Sequence, residues 1–356
     1  MNLKKLLITL AKVSLSLLII GYLFWAALKK PEDREAFSNM LLQPKRWDLL
    51  AAAFVVMLGG ILITLVRWWY LVRAVGISFS FSDSMRIGFL GYLFNLAPMG
   101  IVGGDLLKAW MLSREKAGSR AQAFASVIVD RAIGLYVLFL VATGGVFVTG
   151  FWNLPDPTVH WVCRGVIAIA AIATVGIALL LLPGVLEGSF MRALTRIPKV
   201  GRAIGSLLDA LLIYRSNRLA LFLSAVMTIP VHTLLTFSVI LIALGLRFTT
   251  VPWVDYFGIF PISGIASTIP LPAGPTESSI VFFYTTAVRH ACQATDIAAT
   301  VDVEAIIASA AQNGLILALV YRLSTILIAP IGAAYYFLGG RSEVTEVMHE
   351  AEEEDG

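Results

Sequence analysis

Asn95-Leu-Ala-Pro98-Met-Gly100-Ile-Val-Gly103-Gly104-Asp105 and Thr268-Ile-Pro270-Leu-Pro272-Ala-Gly274-Pro275-Thr-Glu277 interrupt otherwise apolar sequence in the same way. In each, an acid stands seven residues after the first proline. Proline and glycine break helices, and backbone that leaves a helix inside a bilayer must find partners within the protein or line a watery cavity. Two such breaks at corresponding places in two halves of a chain point to the binding site of a transporter.

The surrounding sequence belongs in a membrane. Of 356 residues, 58% are hydrophobic and 14% charged, against about 25% charged in soluble proteins, and mean hydropathy is +0.83. Apolar stretches at 6–28, 49–72, 121–149, 162–182, 219–246 and 305–338 are long enough to cross a hydrocarbon core of about 30 Å. The expected fold class is an all-α polytopic membrane protein. The first stretch is longer than the apolar region of a signal peptide and no A-x-A site follows it, so it is read as a retained anchor. The net charge of +4 reflects the excess of Lys and Arg on cytoplasmic loops and implies no nucleic-acid partner. Cys163 and Cys292 fit no disulfide or metal spacing and read as small buried hydrophobes; the four His residues are scattered.

Charge placement orients the spans. Arg192, Arg196, Lys199, Arg202, Arg215 and Arg218 put segment 183–218 in the cytoplasm, as Lys108, Arg114, Lys116 and Arg120 do for 108–120. Loop 151–161 has no Lys or Arg and belongs outside, and Lys4 and Lys5 hold the N-terminus inside. Two crossings return the chain to the cytoplasm near Arg73, and Arg114 is cytoplasmic too. Segment 84–112 must therefore enter and leave by one face, as a re-entrant pair of half-helices. By the same logic 253–288 enters and leaves from the outside. The result is two inverted repeats, about six full spans plus two re-entrant hairpins: 1–150 as the first repeat, 151–340 as the second, and 341–356 as an acidic disordered tail. Both termini are then cytoplasmic. Asp83, Pro98 and Asp105 map onto Asp255, Pro270 and Glu277 with one offset of 172. Loop 29–48, with five basic residues on the supposed outside, fits this plan least well. Stretch 305–338 would be about 51 Å long as a straight helix, so it must tilt, kink at Pro330 or protrude. Within the basic linker 183–218, apolar residues near helical spacing suggest an amphipathic helix on the inner leaflet.

A charge near the bilayer centre costs about 2.5–3.5 kcal/mol, so each one calls for an explanation. Asp105 and Glu277 follow the breaks, where a carboxylate can cap a new helix start, and Pro275 suits a first helical position. Both acids are also candidates to bind a cation, a proton or a polar head group. Arg131 and Arg322, in the spans after each break, can pair with Asp105 and Glu277, or grip a lipid phosphate with the guanidinium fork. Asp130 is a rival partner for Arg131. Arg67, in Arg67-Trp68-Trp69-Tyr70, reads as a snorkelling residue of an interfacial aromatic belt, and Lys108 likewise as snorkelling. No G-x-S-x-G, H-E-x-x-H or Walker A sequence is present, so no enzyme, cofactor, metal site or nucleotide-driven pump is expected.

Arg67-Trp68, then Pro98 to Gly103-Gly104-Asp105-Leu-Leu-Lys108-Ala, then Ala125-Ser126-Val127-Ile-Val-Asp130-Arg131, resembles the flippase-like membrane domain of lysylphosphatidylglycerol synthases, across most of 6–338. The resemblance implies a helical bundle that moves lipids between leaflets, with relatives in aminoacylated phosphatidylglycerol, hopanoid and polyisoprenyl-linked sugar pathways. Where that family has a Gly-Gly-x-Gly run before the Glu, this chain has Ala273-Gly274-Pro275-Thr276-Glu277. No soluble synthase domain is recognised, so aminoacyl transfer is not expected.

Together these observations predict a plasma-membrane flippase for a polar-headed phospholipid or polyisoprenyl-linked glycolipid. Asp105, Arg131, Glu277 and Arg322 are its head-group or coupling-ion residues, and Pro98, Gly103, Gly104, Pro270, Pro272 and Gly274 form its re-entrant breaks. Gradient coupling would use protonation of Asp105 or Glu277. Membrane lipids are the expected partners and lipid-biosynthesis enzymes candidate ones. The alternatives are an ion-coupled transporter of a small polar solute, and a membrane-embedded lipid-modifying enzyme or its accessory subunit.

Overall fold

The computed structural model describes residues 42–96, 101–115, 119–180, 201–248, 251–269, 273–294 and 303–337, with Leu271 and isolated positions before 42. Among these residues every regular element is helical. In chain order they are α1 Trp47–Ala74, α2 Phe81–Leu96, α3 Ile101–Glu115, α4 Arg120–Val148, α5 Pro157–Leu180, α6 Gly201–Ile213, α7 Arg218–Gly245, α8 Tyr256–Ile265, α9 Pro275–Ala294, α10 Val303–Ile326 and α11 Ala329–Tyr335. The protein is an all-α polytopic membrane protein.

Five helical runs are long and apolar enough to cross a membrane: α1, α4, α5, α7 with the turn before it, and the run Ile306–Tyr335. They coincide with five of the six expected spans; 6–28 lies largely outside the described residues, as do the linker 181–200 and the tail 341–356. Local chemistry sets the helix ends. Asp48 in the first turn of α1 and Arg73 in its last oppose the helix dipole. Ser80 caps α2: the Asp83 N–H donates to Ser80 Oγ at 3.0 Å, and the Ser80 hydroxyl donates to Asp83 Oδ2. Asp156 accepts from the N–H groups of Thr158 and Val159 to start α5, with Pro157 as its first residue. Stretch 305–338 is divided: α10 ends at Ile326 and α11 restarts with Pro330 in its first turn.

The helices beside the first break are shorter, whereas α9 after the second has 20 residues and reaches about 30 Å. With 16 and 15 residues, α2 and α3 reach about 24 and 22 Å, less than a hydrocarbon core. They pack on each other through Gly91 and Gly104, where a methyl group on Gly104 would collide with the Gly91 carbonyl oxygen. Small residues serve this purpose in membranes, where apolar surface alone gives helices no reason to prefer each other over lipid. In the second half a turn of 3-10 helix, α8 and another 3-10 turn make one helical run over 253–268. The offset of 172 carries both ends of α2 onto both ends of this run, and α1 and α7 have 28 residues each.

Packing divides the chain into two compact units that are not the two sequence halves. One comprises Ile61–Val137, Ile167–Val231 and Ile328–Gly356; the other comprises Met1–Gly60, Leu138–Val166 and His232–Leu327. The first contains α2 and α3. Its core gathers Trp68 and Val72 of α1, Ile87 and Leu90 of α2, Leu107 and Leu112 of α3, and Ala123 and Val127 of α4. Against a second cluster in this unit, α6 lays Ala210, followed by the buried Tyr214, whose hydroxyl donates to the Leu71 carbonyl at 2.9 Å. The C-terminal part of the amphipathic linker is therefore docked on protein, where the sequence suggested the lipid surface. The other unit contains α8 and α9, with ring contacts Tyr256–Tyr284, Phe151–Phe283 and Phe260–Tyr321. Cys163 and Cys292 are both buried.

Candidate functional site

Each unit holds an acid of the helix that follows its break bound to an arginine of the next long helix. In the first, Asp105 of α3 meets Arg131 of α4. Arg131 Nη2 donates to Asp105 Oδ1 and Arg131 Nε approaches Oδ2, both at 2.6 Å. This bidentate fork is the strong form of the interaction. Asp105 is 15% exposed in its side chain and Arg131 47%, so the open side of the pair is the guanidinium. Arg131 Nη1 makes no hydrogen bond among the described residues.

Asp105 is not a cap. The sequence suggested a half-helix beginning after Gly103-Gly104, but α3 begins at Ile101 and Asp105 is its fifth residue, beyond the first turn. The glycines lie inside the helix, where Gly104 permits close approach to α2. Pro98 lies outside the described residues, as do Pro270 and Pro272.

In the other unit, Arg322 Nε of α10 donates to Glu277 Oε1 of α9 at 2.6 Å. Glu277 Oε2 accepts the Gly274 N–H, also at 2.6 Å. Gly274 precedes Pro275, the first residue of α9, and Glu277 is the third, so this is the carboxylate half of a capping box. Gly274 has φ 111°, which a residue with a side chain adopts only under strain. Capping and pairing, alternatives in the sequence, are here two jobs of one buried side chain. Glu277 is 3% exposed and Arg322 28%, and neither Nη of Arg322 has a hydrogen-bond partner among the described residues.

Asp130 is not the partner of Arg131. It faces α1, where Arg67 Nε donates to Asp130 Oδ1 at 2.8 Å and Arg67 Nη2 to the Asp130 carbonyl at 3.2 Å. Arg67 Nη1 donates to Thr228 Oγ1 of α7 at 2.6 Å, and the Thr228 hydroxyl donates to the Ser224 carbonyl at 2.7 Å. The Arg67 and Asp130 side chains are 4% and 8% exposed, so Arg67 does not snorkel. It locks α1, α4 and α7 together. In the structure α1 runs on to Ala74, which sets Arg67 two turns inside the helix. Lys108 does not snorkel either. It is 8% exposed, with Nζ 5.3 Å from the ring centroid of Trp68.

A family model described as the lysylphosphatidylglycerol synthase TM region matches residues 10–307 of the chain. A UPF0104 membrane protein of Methanocaldococcus jannaschii is 25% identical over 150 residues, which is 41% of this chain and 44% of that protein. The chain thus spans less than half the length of that relative. No solved structure matches the chain. A model covering most of the chain, on a helical bundle that carries the Asp105–Arg131 pair, gives its family: the protein belongs to the lysylphosphatidylglycerol synthase TM-region family.

Proposed function

We propose that the protein is a lipid flippase built from two inverted repeats, whose re-entrant hairpins α2–α3 and 253–294 each offer an acid–arginine pair to a polar head group while the acyl chains stay in lipid. The observation that carries this is the open edge on both arginines. Asp105 and Glu277 neutralise Arg131 and Arg322, yet each guanidinium keeps N–H donors with no protein acceptor among the described residues, and neither is buried. In a membrane, an ionised side chain that is neither fully paired nor buried lines a polar path or sits at an interface. The guanidinium fork suits a phosphodiester. The matching lengths of α1 and α7, and the offset of 172 that superposes α2 on 253–268, support the repeat. Membership of the family agrees with a lipid-related role. The protein would act on lipids in the plasma membrane without catalysing a reaction, with both termini cytoplasmic and with enzymes that make those lipids as its partners.

Mass spectrometry of lipids retained in native nanodiscs tests head-group recognition. Wild type should enrich one phospho- or glycolipid class over the bulk membrane, and Asp105→Asn with Glu277→Gln should lose it. A wild-type profile equal to bulk lipid would count against a lipid path and favour a small polar solute.

A further inference from the structure

The charges around α3 do not balance. Five ionised side chains meet in this unit: Arg67, Lys108 and Arg131 against Asp105 and Asp130. Each carboxylate is taken by an arginine, Asp130 by Arg67 and Asp105 by Arg131. Lys108 has no carboxylate within salt-bridge distance and no hydrogen bond among the described residues, although it is 8% exposed. Its one recorded partner is the Trp68 ring, whose Nε1–H is tied to Ser126 Oγ at 3.3 Å. An ammonium has three N–H donors, and a ring face engages one direction only. A buried cation left in this state is costly unless something completes it.

Two features indicate what completes it. Arg131 of α4 holds its guanidinium on Asp105, one turn before Lys108 in α3. Lys108 follows Asp105 by three residues on α3, on the same helix face, which sets it one turn from the fork that Asp105 holds. The half-exposed Arg131 provides access. The lysine stem lies against Gly91, where a methyl group would sit 2.6 Å from Lys108 Cε and 2.8 Å from its Cγ.

The second hairpin has no charge at the corresponding position. At the 172 offset, Ile280 stands where Lys108 does, also three residues after the acid, and is 1% exposed. A hairpin of this plan therefore packs with an aliphatic side chain at this position.

We infer that Lys108 and the free Nη1 edge of Arg131 form a phosphate-binding subsite in the first hairpin, absent from the second, which takes the phosphate of a lipid head group or a free phosphate ion. The subsite rests on the flippase reading only for the expectation that the phosphate arrives on a lipid.

The test is thermal unfolding of the full chain in a neutral detergent, wild type beside Lys108→Met, with three additions. These are dihexanoylphosphatidylglycerol, inorganic phosphate, and a phosphate-free diglucosyl lipid. Ligands that bind the folded state raise the midpoint, here by about 2–4 °C. Wild type should be protected by the phospholipid, by inorganic phosphate or by both, and not by the glucolipid, while Lys108→Met gains nothing. Protection by the phospholipid alone identifies a head group as the source; protection by inorganic phosphate identifies the free ion. Equal shifts in both proteins, or no shift in wild type, would overturn the subsite. If Lys108→Met does not fold, Lys108→Gln is read in the same way. Leaflet exchange without Lys108-dependent protection would remove the subsite and leave the flippase; protection without exchange would do the reverse.

Discussion

At the residue scale, the pairs Asp105–Arg131 and Glu277–Arg322 were legible because each acid follows a break and each arginine lies in the following span. Asp130 was not legible, because it is adjacent to Arg131 in sequence. Consecutive residues on a helix point about 100° apart, so neighbours in sequence cannot face each other. Asp130 therefore reaches α1 while Arg131 reaches α3. The buried Arg67–Asp130 pair gives a clear expectation. Arg67→Met or Asp130→Asn alone leaves the partner charge buried and should destabilise by about 3–5 kcal/mol, whereas Arg67→Met with Asp130→Leu should recover most of the loss. Denaturant unfolding in micelles measures both; a double variant whose loss equals the sum of the two single losses would deny that the pair is coupled.

At the element scale, the length and polarity of the spans were plain, and the roles of the glycines were not. Glycine breaks helices in water but also makes helix contacts in membranes, and Gly103-Gly104 cannot be told apart from a break by composition. In the folded protein Gly104 is a contact, so Gly104→Val should force α2 and α3 apart at a cost of about 1–3 kcal/mol. Gly274 is a true turn residue, and Gly274→Ala should cost about 1–2 kcal/mol through its φ. Glu277→Gln keeps an oxygen for the Gly274 N–H but leaves Arg322 without its charged partner, a loss of about 1.5–3 kcal/mol, so it should destabilise at least as much as Gly274→Ala. Thermal unfolding of the three variants checks the order, and a tolerated Gly104→Val would contradict the close α2–α3 contact.

At the scale of the whole molecule, the offset of 172 was read from three residues and holds for the ends of a 16-residue helical run. The interleaving of the two sequence halves into two packed units was not readable, because packing joins segments that local sequence pattern does not relate. If α2–α3 is re-entrant, single cysteines replacing Ser80 and Arg114 should both react from the cytoplasmic face, in a background lacking Cys163 and Cys292. If 253–294 is re-entrant, replacements at Trp253 and His290 should both react from outside. A pair split between faces would make that segment a crossing instead.

Lipid movement itself is the central claim, and leaflet exchange measures it. Vesicles containing the full chain and a fluorescent phospholipid are treated with a membrane-impermeant quencher, wild type beside Asp105→Asn and Glu277→Gln. Each variant keeps the shape of the side chain and removes its charge, and a charge-assisted hydrogen bond contributes about 1.5–3 kcal/mol, so each should slow exchange about tenfold or more. Wild-type vesicles that exchange lipid no faster than protein-free vesicles would contradict a flippase, and variants as fast as wild type would take the acid–arginine pairs out of the path.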